Sequence, residues 1–286
     1  MKKRVISTIV LILLFLTGLS VLLYPLVSDY VNSLSQSRVI SRFNDDLAKL
    51  SKDDYKDLIQ KAREYNAKLI SKPNRLMPSE SDLEEYHSIL DFTGRGVIGT
   101  LEIELINLKL PIYLGTEESV LSTGLGHLEG TSLPIGGAGT HSVISGHRGL
   151  PSATLLTNLD KLDLGDTFVL KILNETLTYR IDQIRTVEPD NIEYLGIDPD
   201  KDYCTLLTCT PYGINSHRLL LRGIRIFPEN GEIEQSSGRR ILRADAEQVN
   251  PIAGYVIAAV PIILIISIYS FIKNIRTKTK TKIRRK

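Results

Sequence analysis

The sequence contains no tryptophan, two methionines and two cysteines in 286 residues. Two cysteines permit at most one disulfide, which excludes a disulfide-stapled scaffold. Cys204 and Cys209 fall within one run that reads as a strand. At ~3.3 Å per residue they stand too far apart to bridge, and their opposite parity turns them to opposite faces. The chain is therefore expected to keep two free thiols. No internal repeat is present. No set of His, Cys, Asp or Glu shows a zinc spacing, so neither a metal nor another cofactor is expected.

Charge is also missing from two long stretches. Val5 to Val27 is 23 residues without a charge, and Pro251 to Ile272 is 22. At ~1.5 Å rise per residue, each can span the ~30 Å hydrocarbon core of a bilayer. The first also has the length of a signal peptide, but no small-x-small cleavage site follows it, so it reads as an uncleaved anchor. Lys2, Lys3 and Arg4 precede the first run, and eight cations from Lys273 to Lys286 follow the second. Both cationic flanks are expected on the cytoplasmic side, with the intervening segment outside.

The near-neutral total hides a division. Of 35 Lys and Arg, 24 lie between residues 28 and 250, together with all 33 Asp and Glu, a net charge of −9. An acidic outer segment argues against nucleic acid as a partner. The basic tail suits anionic lipid headgroups.

The pattern divides the chain further. Residues 1–27 read as cytoplasmic flank and anchor, and 28–95 as a helical membrane-proximal region. Residues 96–227 read as a β domain, 228–250 as a polar tether, 251–272 as a second span and 273–286 as the basic tail. Apolar spacings of three and four carry the helical reading from Ser28 to Ile70, with a break where Ser51 and Asp54 form a capping pattern. Lys72 to Ser88 reads as irregular. From Gly96 the pattern turns to short β-branched runs bounded by Gly, Pro, Asn or Asp, with "LNETL" as a hairpin turn. Pro151 to Leu162 reads as one helix within this region. Many short strands with little helix predict a closed barrel or sandwich.

Few residues in this pattern can do chemistry. A thiolate is a strong nucleophile, and a nearby His or cation raises its share or stabilises charge developing on a substrate. Cys209 ends an apolar strand and precedes the turn Thr210-Pro211-Tyr212-Gly213, where a side chain can meet a ligand. Arg218 opens the next strand, so a hairpin could set it beside Cys209. A free Cys in a strand is more often a small core residue, a reading that suits Cys204 and remains open for Cys209. Arg222 and Arg225 read as surface cations. Of His87, His127, His141, His147 and His217, only His147 has an unusual setting. It follows a strand within "SGHRG", where glycines allow close approach of a ligand.

Together "TLLTC" (Thr205 to Cys209), an Arg nine residues on and the upstream "SGHRG" resemble the sortase signature. The stretch from Gly96 to Phe227, with an anchor at each end, resembles the class C, pilin-polymerising sortases. The resemblance implies a mostly β fold: a closed eight-stranded sortase-type barrel with N-terminal helices and a transmembrane helix at each end. It implies Cys209 as nucleophile, His147 as acid/base and Arg218 as the oxyanion-stabilising cation, with Thr208 contacting substrate. The implied reaction cleaves an LPXTG-like sorting signal through a thioacyl enzyme and joins a pilin to a Lys amine of another. A housekeeping-type sortase, a cysteine hydrolase and a noncatalytic assembly scaffold are the competing readings. Many class C sortases carry a lid with an Asp-Pro-aromatic motif ahead of the barrel. Here the only Asp-Pro is Asp198-Pro199, so the lid is expected to be absent, shortened or chemically different, its acids free to pair with Arg218.

Overall fold

The computed structural model describes residues 2–227. The expected tether, second span and basic tail lie outside the described residues. The expected anchor and the helix after it form one unbroken helix, α1 (Lys2–Leu47), with Pro25 inside it. Its N-terminal part is long and apolar enough to cross a membrane. Its C-terminal part buries Ile40 and Phe43 on the barrel, with the Phe43 ring 5.5 Å from that of Phe92.

Helix α2 (Lys52–Ile70) begins where the capping pattern placed it. Ser51 Oγ accepts from Asp54 N at 3.1 Å, satisfying one of the free first-turn donors. Ile59, Ala62, Tyr65, Asn66 and Leu69 form its buried face. Part of the segment expected to be irregular is helical. α3 (Glu80–Leu90) starts in a full capping box between Ser79 and Asp82 and buries Tyr86, Ile89 and Leu90. The acids there cap and solvate a helix rather than break one.

Eight strands follow: β1 (Val97–Ile103), β2 (Leu108–Leu114), β3 (Leu125–His127) and β4 (Thr140–Ser145), then β5 (Thr167–Ile172), β6 (Glu175–Val187), β7 (Asp202–Thr210) and β8 (His217–Ile226). One turn of helix, α4 (Glu118–Leu121), precedes β3. The strands close a barrel in the order β1-β2-β3-β4-β7-β8-β6-β5, so the predicted closed eight-stranded barrel is what forms. β4 and β7 run parallel, while β7 and β8 form an antiparallel hairpin. The barrel is filled by Ile98, Leu101, Ile112, Leu125, Ile144, Phe168, Leu170, Tyr179 and Leu206, among others. Gly223 lets β8 approach this filling, since a Cβ there would lie 2.7 Å from the Phe168 ring.

The helix expected over Pro151 to Leu162 does not form. That stretch is a series of turns ending in a 3-10 turn, Leu159–Lys161. Leu155 has a φ of 37°, and the Leu156 amide bonds back to the His147 carbonyl at 3.1 Å. Leu155, Leu156, Leu159 and Leu162 are all buried. Their spacing records a loop tucked under one end of the barrel, and a helical period was the wrong inference from it.

Candidate active site

Strand parity sorts the side chains of β7. Cys204 and Leu206 point into the main core, and Cys204 is fully buried. Leu207 belongs instead to a separate outer apolar cluster with Val143, Val187, Leu195 and Leu220. Cys209, two residues beyond Leu207, continues that outer row and is half-buried. The two thiols are free and lie on opposite faces of the strand, as their spacing requires. Burial pushes the Cys204 thiol well above its ordinary pKa, which keeps it protonated and inert.

The β7–β8 hairpin sets Cys209 directly across from Arg218, next to the Leu207–Leu220 pair. Directly opposed residues in an antiparallel pair hold their Cβ atoms about 4.5–5.5 Å apart on one face. The Arg218 guanidinium donates from Nη1 to the carbonyls of His217 at 3.2 Å and Asn215 at 3.3 Å, which holds it at the hairpin mouth.

His147 reaches the same level from the other side. β4 pairs with β7 through Ser145 opposite Leu207. The Gly146 amide continues the ladder to the Leu207 carbonyl at 3.1 Å. Arg148 Nη1 then donates to Thr210 Oγ1 at 3.1 Å. His147 lies between these two attachments, so parallel register brings its backbone level with Cys209. Gly146 faces the core, where a Cβ would sit 2.5 Å from Leu125 Cδ2, so the next residue, His147, turns outward. The His147 ring is a quarter exposed, and its Nε2 lies 3.2 Å from both carboxylate oxygens of Glu118. Thus His147, Cys209 and Arg218 come to one end of the barrel and one outer face.

Thr208, expected to contact substrate, faces the core. It has the inward parity of Cys204, is 1% exposed, and donates its hydroxyl to the Gly146 carbonyl at 2.7 Å. It ties the residue before His147 to the residue before Cys209. Sequence reasoning also missed Arg148. Its side chain is buried, bonded to Thr210 and paired with Asp160, which fixes the loop after His147 to the end of β7. Glu118 gave no signal in the sequence, 29 residues from His147.

The segment between α2 and α3 lies across the outer face beside this site. Arg75 donates from Nη1 to the Gly130 carbonyl at 2.7 Å and from Nη2 to the Leu195 carbonyl. Leu76 packs on the outer apolar cluster that includes Leu207 and Leu220. Two of the acids expected to reach Arg218 have partners elsewhere. Asp82 pairs with Lys72 and caps α3, and Glu85 pairs with Lys68. The Lys72 contact and the bonds from Ser79 lower the Asp82 carboxyl to about 2. The segment is held by a cation and a leucine rather than by an acid and an aromatic ring.

Two other histidines are structural. His127 is fully buried with Nδ1 2.9 Å from the Tyr86 hydroxyl and Nε2 2.8 Å from the Ser132 carbonyl. His141 bonds the Gly196 carbonyl and Thr205 Oγ1, each at 2.7 Å. Burial lowers both imidazoles to about 4, so both are neutral near pH 7. Arg222, read as a surface cation, forms a two-pronged pair with Asp182 at 3.0 and 2.8 Å.

The Sortase domain family matches residues 101–226, the barrel from β1 to β8. A crystal structure of sortase C1 from Streptococcus agalactiae is 49% identical. It superposes with a TM-score of 0.64, covering 67% of this chain and 100% of that one. Sortase C-1 from Streptococcus pneumoniae is 43% identical with a TM-score of 0.60, covering 67% of this chain and 100% of that one. Among curated proteins, sortase D of Bacillus subtilis (strain 168) is 30% identical over 131 residues, 45% of this chain and 63% of that protein. The match thus spans somewhat under two thirds of that curated relative's length.

Proposed function

The chain belongs to the sortase family, and on that premise we propose that it is a membrane-anchored cysteine transpeptidase of the class C type, assembling pilins. The observation that carries this reading is the shared level of three groups. Cys209 is paired across the hairpin with Arg218, and the parallel β4–β7 register brings His147 level with Cys209.

The chemistry follows from that placement. As its proton passes to His147, Cys209 Sγ attacks the Thr carbonyl of an LPXTG-like sorting signal, forming a C–S bond and a tetrahedral oxyanion. Arg218, on the same face, stabilises the developing negative charge. His147 gives a proton to the departing Gly amine as the Thr–Gly bond breaks, leaving a thioacyl enzyme. The Lys amine of a second pilin then attacks, His147 takes its proton, and the C–S bond breaks as the isopeptide bond forms, the proton returning from His147 to Cys209 Sγ. Thr208 acts by positioning, through Gly146. The outer apolar row of Val143, Leu207 and Leu220 leads to Cys209 and provides a floor for the apolar part of the signal. Leu76 covers that floor, so peptide entry requires the segment carrying it to move. α1 serves as the anchor, with the barrel outside the membrane.

The test is mass spectrometry of the product formed from candidate pilins and the purified chain. Expected is an amide between the signal's Thr and a Lys side chain, with loss of the residues after Thr, abolished by Cys209→Ala. Polymer that persists in Cys209→Ala would favour a noncatalytic scaffold. Free acid in place of amide, with a Lys donor present, would favour a hydrolase. Attachment of the Thr to a cell-wall precursor amine would favour a housekeeping-type sortase.

A further inference from the structure

α1 passes from its apolar run to the barrel with almost no interval. Asp29 is the first charged residue after Arg4. Its Oδ1 accepts from the Thr154 amide at 2.7 Å, and Asn32 Nδ2 donates to the Ser152 carbonyl at 2.7 Å. Along the helix Asp29 stands about 3 Å beyond Val27 and Asn32 about 7.5 Å beyond it. The headgroup zone outside the hydrocarbon is about 6 Å deep on each side of a bilayer. Where α1 crosses a membrane, these bonds hold Thr154 at headgroup level and Ser152 at its outer edge. Two contacts higher up the helix keep the barrel from swinging away. Gln36 bonds the Thr123 carbonyl at 3.0 Å, and Asp46 pairs with Arg95.

The loop so held is the one that follows His147. Leu156, two residues past Thr154, bonds the His147 carbonyl at 3.1 Å. The hairpin loop between β7 and β8 lies against it. The Tyr212 ring covers Gly149, where a Cβ would lie only 3.1 Å from it. Tyr212 is 60% exposed and Ile214 is 71% exposed, although both are large and apolar. On the helix itself, Tyr24 and Tyr30 flank the point of exit. Tyrosines are favoured at the water–lipid boundary, where the ring is apolar and the hydroxyl stays wet.

We propose that the His147–Leu156 loop and the Pro211–Ser216 loop form one membrane-surface contact, with Tyr212 and Ile214 seated among lipid headgroups, so that Cys209 opens at the bilayer surface. The occupant is the lipid surface because the patch is continuous with the membrane-crossing part of α1. The proposal rests on α1 being a membrane anchor and is independent of which acyl transfer the site performs.

The chain contains no tryptophan, so Tyr212→Trp introduces a single fluorophore. Full-length Tyr212→Trp is placed in phosphatidylglycerol-containing vesicles carrying acyl-chain bromines at shallow or deep positions. Ile214→Trp provides a second reporter should the first fold poorly. Ile70→Trp is the distant control, since Ile70 is exposed and packs by Gly139, ahead of the opposite end of β4. Expected is several-fold stronger quenching at position 212 or 214 than at 70, greatest with the shallow bromines. Quenching at 212 and 214 no greater than at 70 would overturn the proposal. An emission shift produced by sorting-signal peptide alone would assign the patch to substrate. A shift that depends on protein concentration would assign it to a second copy of the chain. Peptide cleavage is measured in the same vesicles: quenching without cleavage defeats the transpeptidase reading and spares this one, and cleavage without quenching does the reverse.

Discussion

The Thr208 hydroxyl donates to the Gly146 carbonyl at 2.7 Å, joining the residue before Cys209 to the residue before His147. Thr208→Val keeps the shape and removes the donor, which leaves a buried carbonyl unpaired at a cost of about 1–3 kcal/mol. The expected outcome is a fall in kcat of tenfold or more with KM little changed, because the base shifts and the peptide floor does not. Thr208→Ser should recover most of the rate. A Thr208→Val enzyme with unchanged kcat and a raised KM would return Thr208 to the substrate pocket.

The two thiols should differ in reactivity. Cys204 is fully buried with a raised pKa, whereas Cys209 is half-buried on the outer row. A thiol-directed alkylating reagent applied to the folded protein should modify Cys209 and spare Cys204, as read by peptide mapping. Equal modification of both would overturn the strand parity on which the site is built.

The segment carrying Leu76 should restrain peptide entry. Arg75 holds it through two bonds to buried-side carbonyls, and hydrogen bonds from a charged group contribute about 1.5–3 kcal/mol each. Arg75→Ala removes both and should favour the open form. Cleavage of a short sorting-signal peptide is expected to rise by about tenfold, since ~1.4 kcal/mol of relative stabilisation shifts an equilibrium that far. The same variant should show faster trypsin or thermolysin cutting between residues 72 and 79. Faster proteolysis with unaltered peptide cleavage would show that the segment moves without gating.

The barrel was legible because its signals are local. Alternation along β7 gives the parity of the two thiols, and the short loop before Arg218 fixes the hairpin that pairs it with Cys209. Ser51 with Asp54 marked the start of α2 for the same reason. The misreadings involve distant partners. Leucines at 155, 156, 159 and 162 carry a helical period, yet they are buried by the barrel end and by a loop closed through His147. Thr208 is next to Cys209 in sequence, and parity turns it inward. Glu118 and Arg75 act across 29 and 55 residues respectively, a separation over which no periodicity carries information.

The buried histidines give the fold a defined response to acid. His127 and His141 have pKa values lowered by burial to about 4, against about 6.5 in an unfolded chain. Between those values the unfolded state binds more protons than the folded one, so stability is full above pH 6.5 and falls as pH drops toward 4. Each histidine contributes a slope of up to about 1.4 kcal/mol per pH unit, so the pair should remove about 4 kcal/mol between pH 7 and pH 5. Asp202, whose carboxyl is raised by burial, opposes this only once the carboxylate range is reached. Urea unfolding of the detergent-solubilised chain at pH 7, 6 and 5 should show the midpoint falling steadily. His141→Gln should roughly halve the slope over that interval, whatever it does to stability at pH 7. A midpoint that stays level from pH 7 to 5 would mean that both imidazoles are accommodated as cations within the fold. The Ser132 and Gly196 carbonyls would then accept from protonated rings, and the Tyr86 and Thr205 hydroxyls would have to accept from them as well.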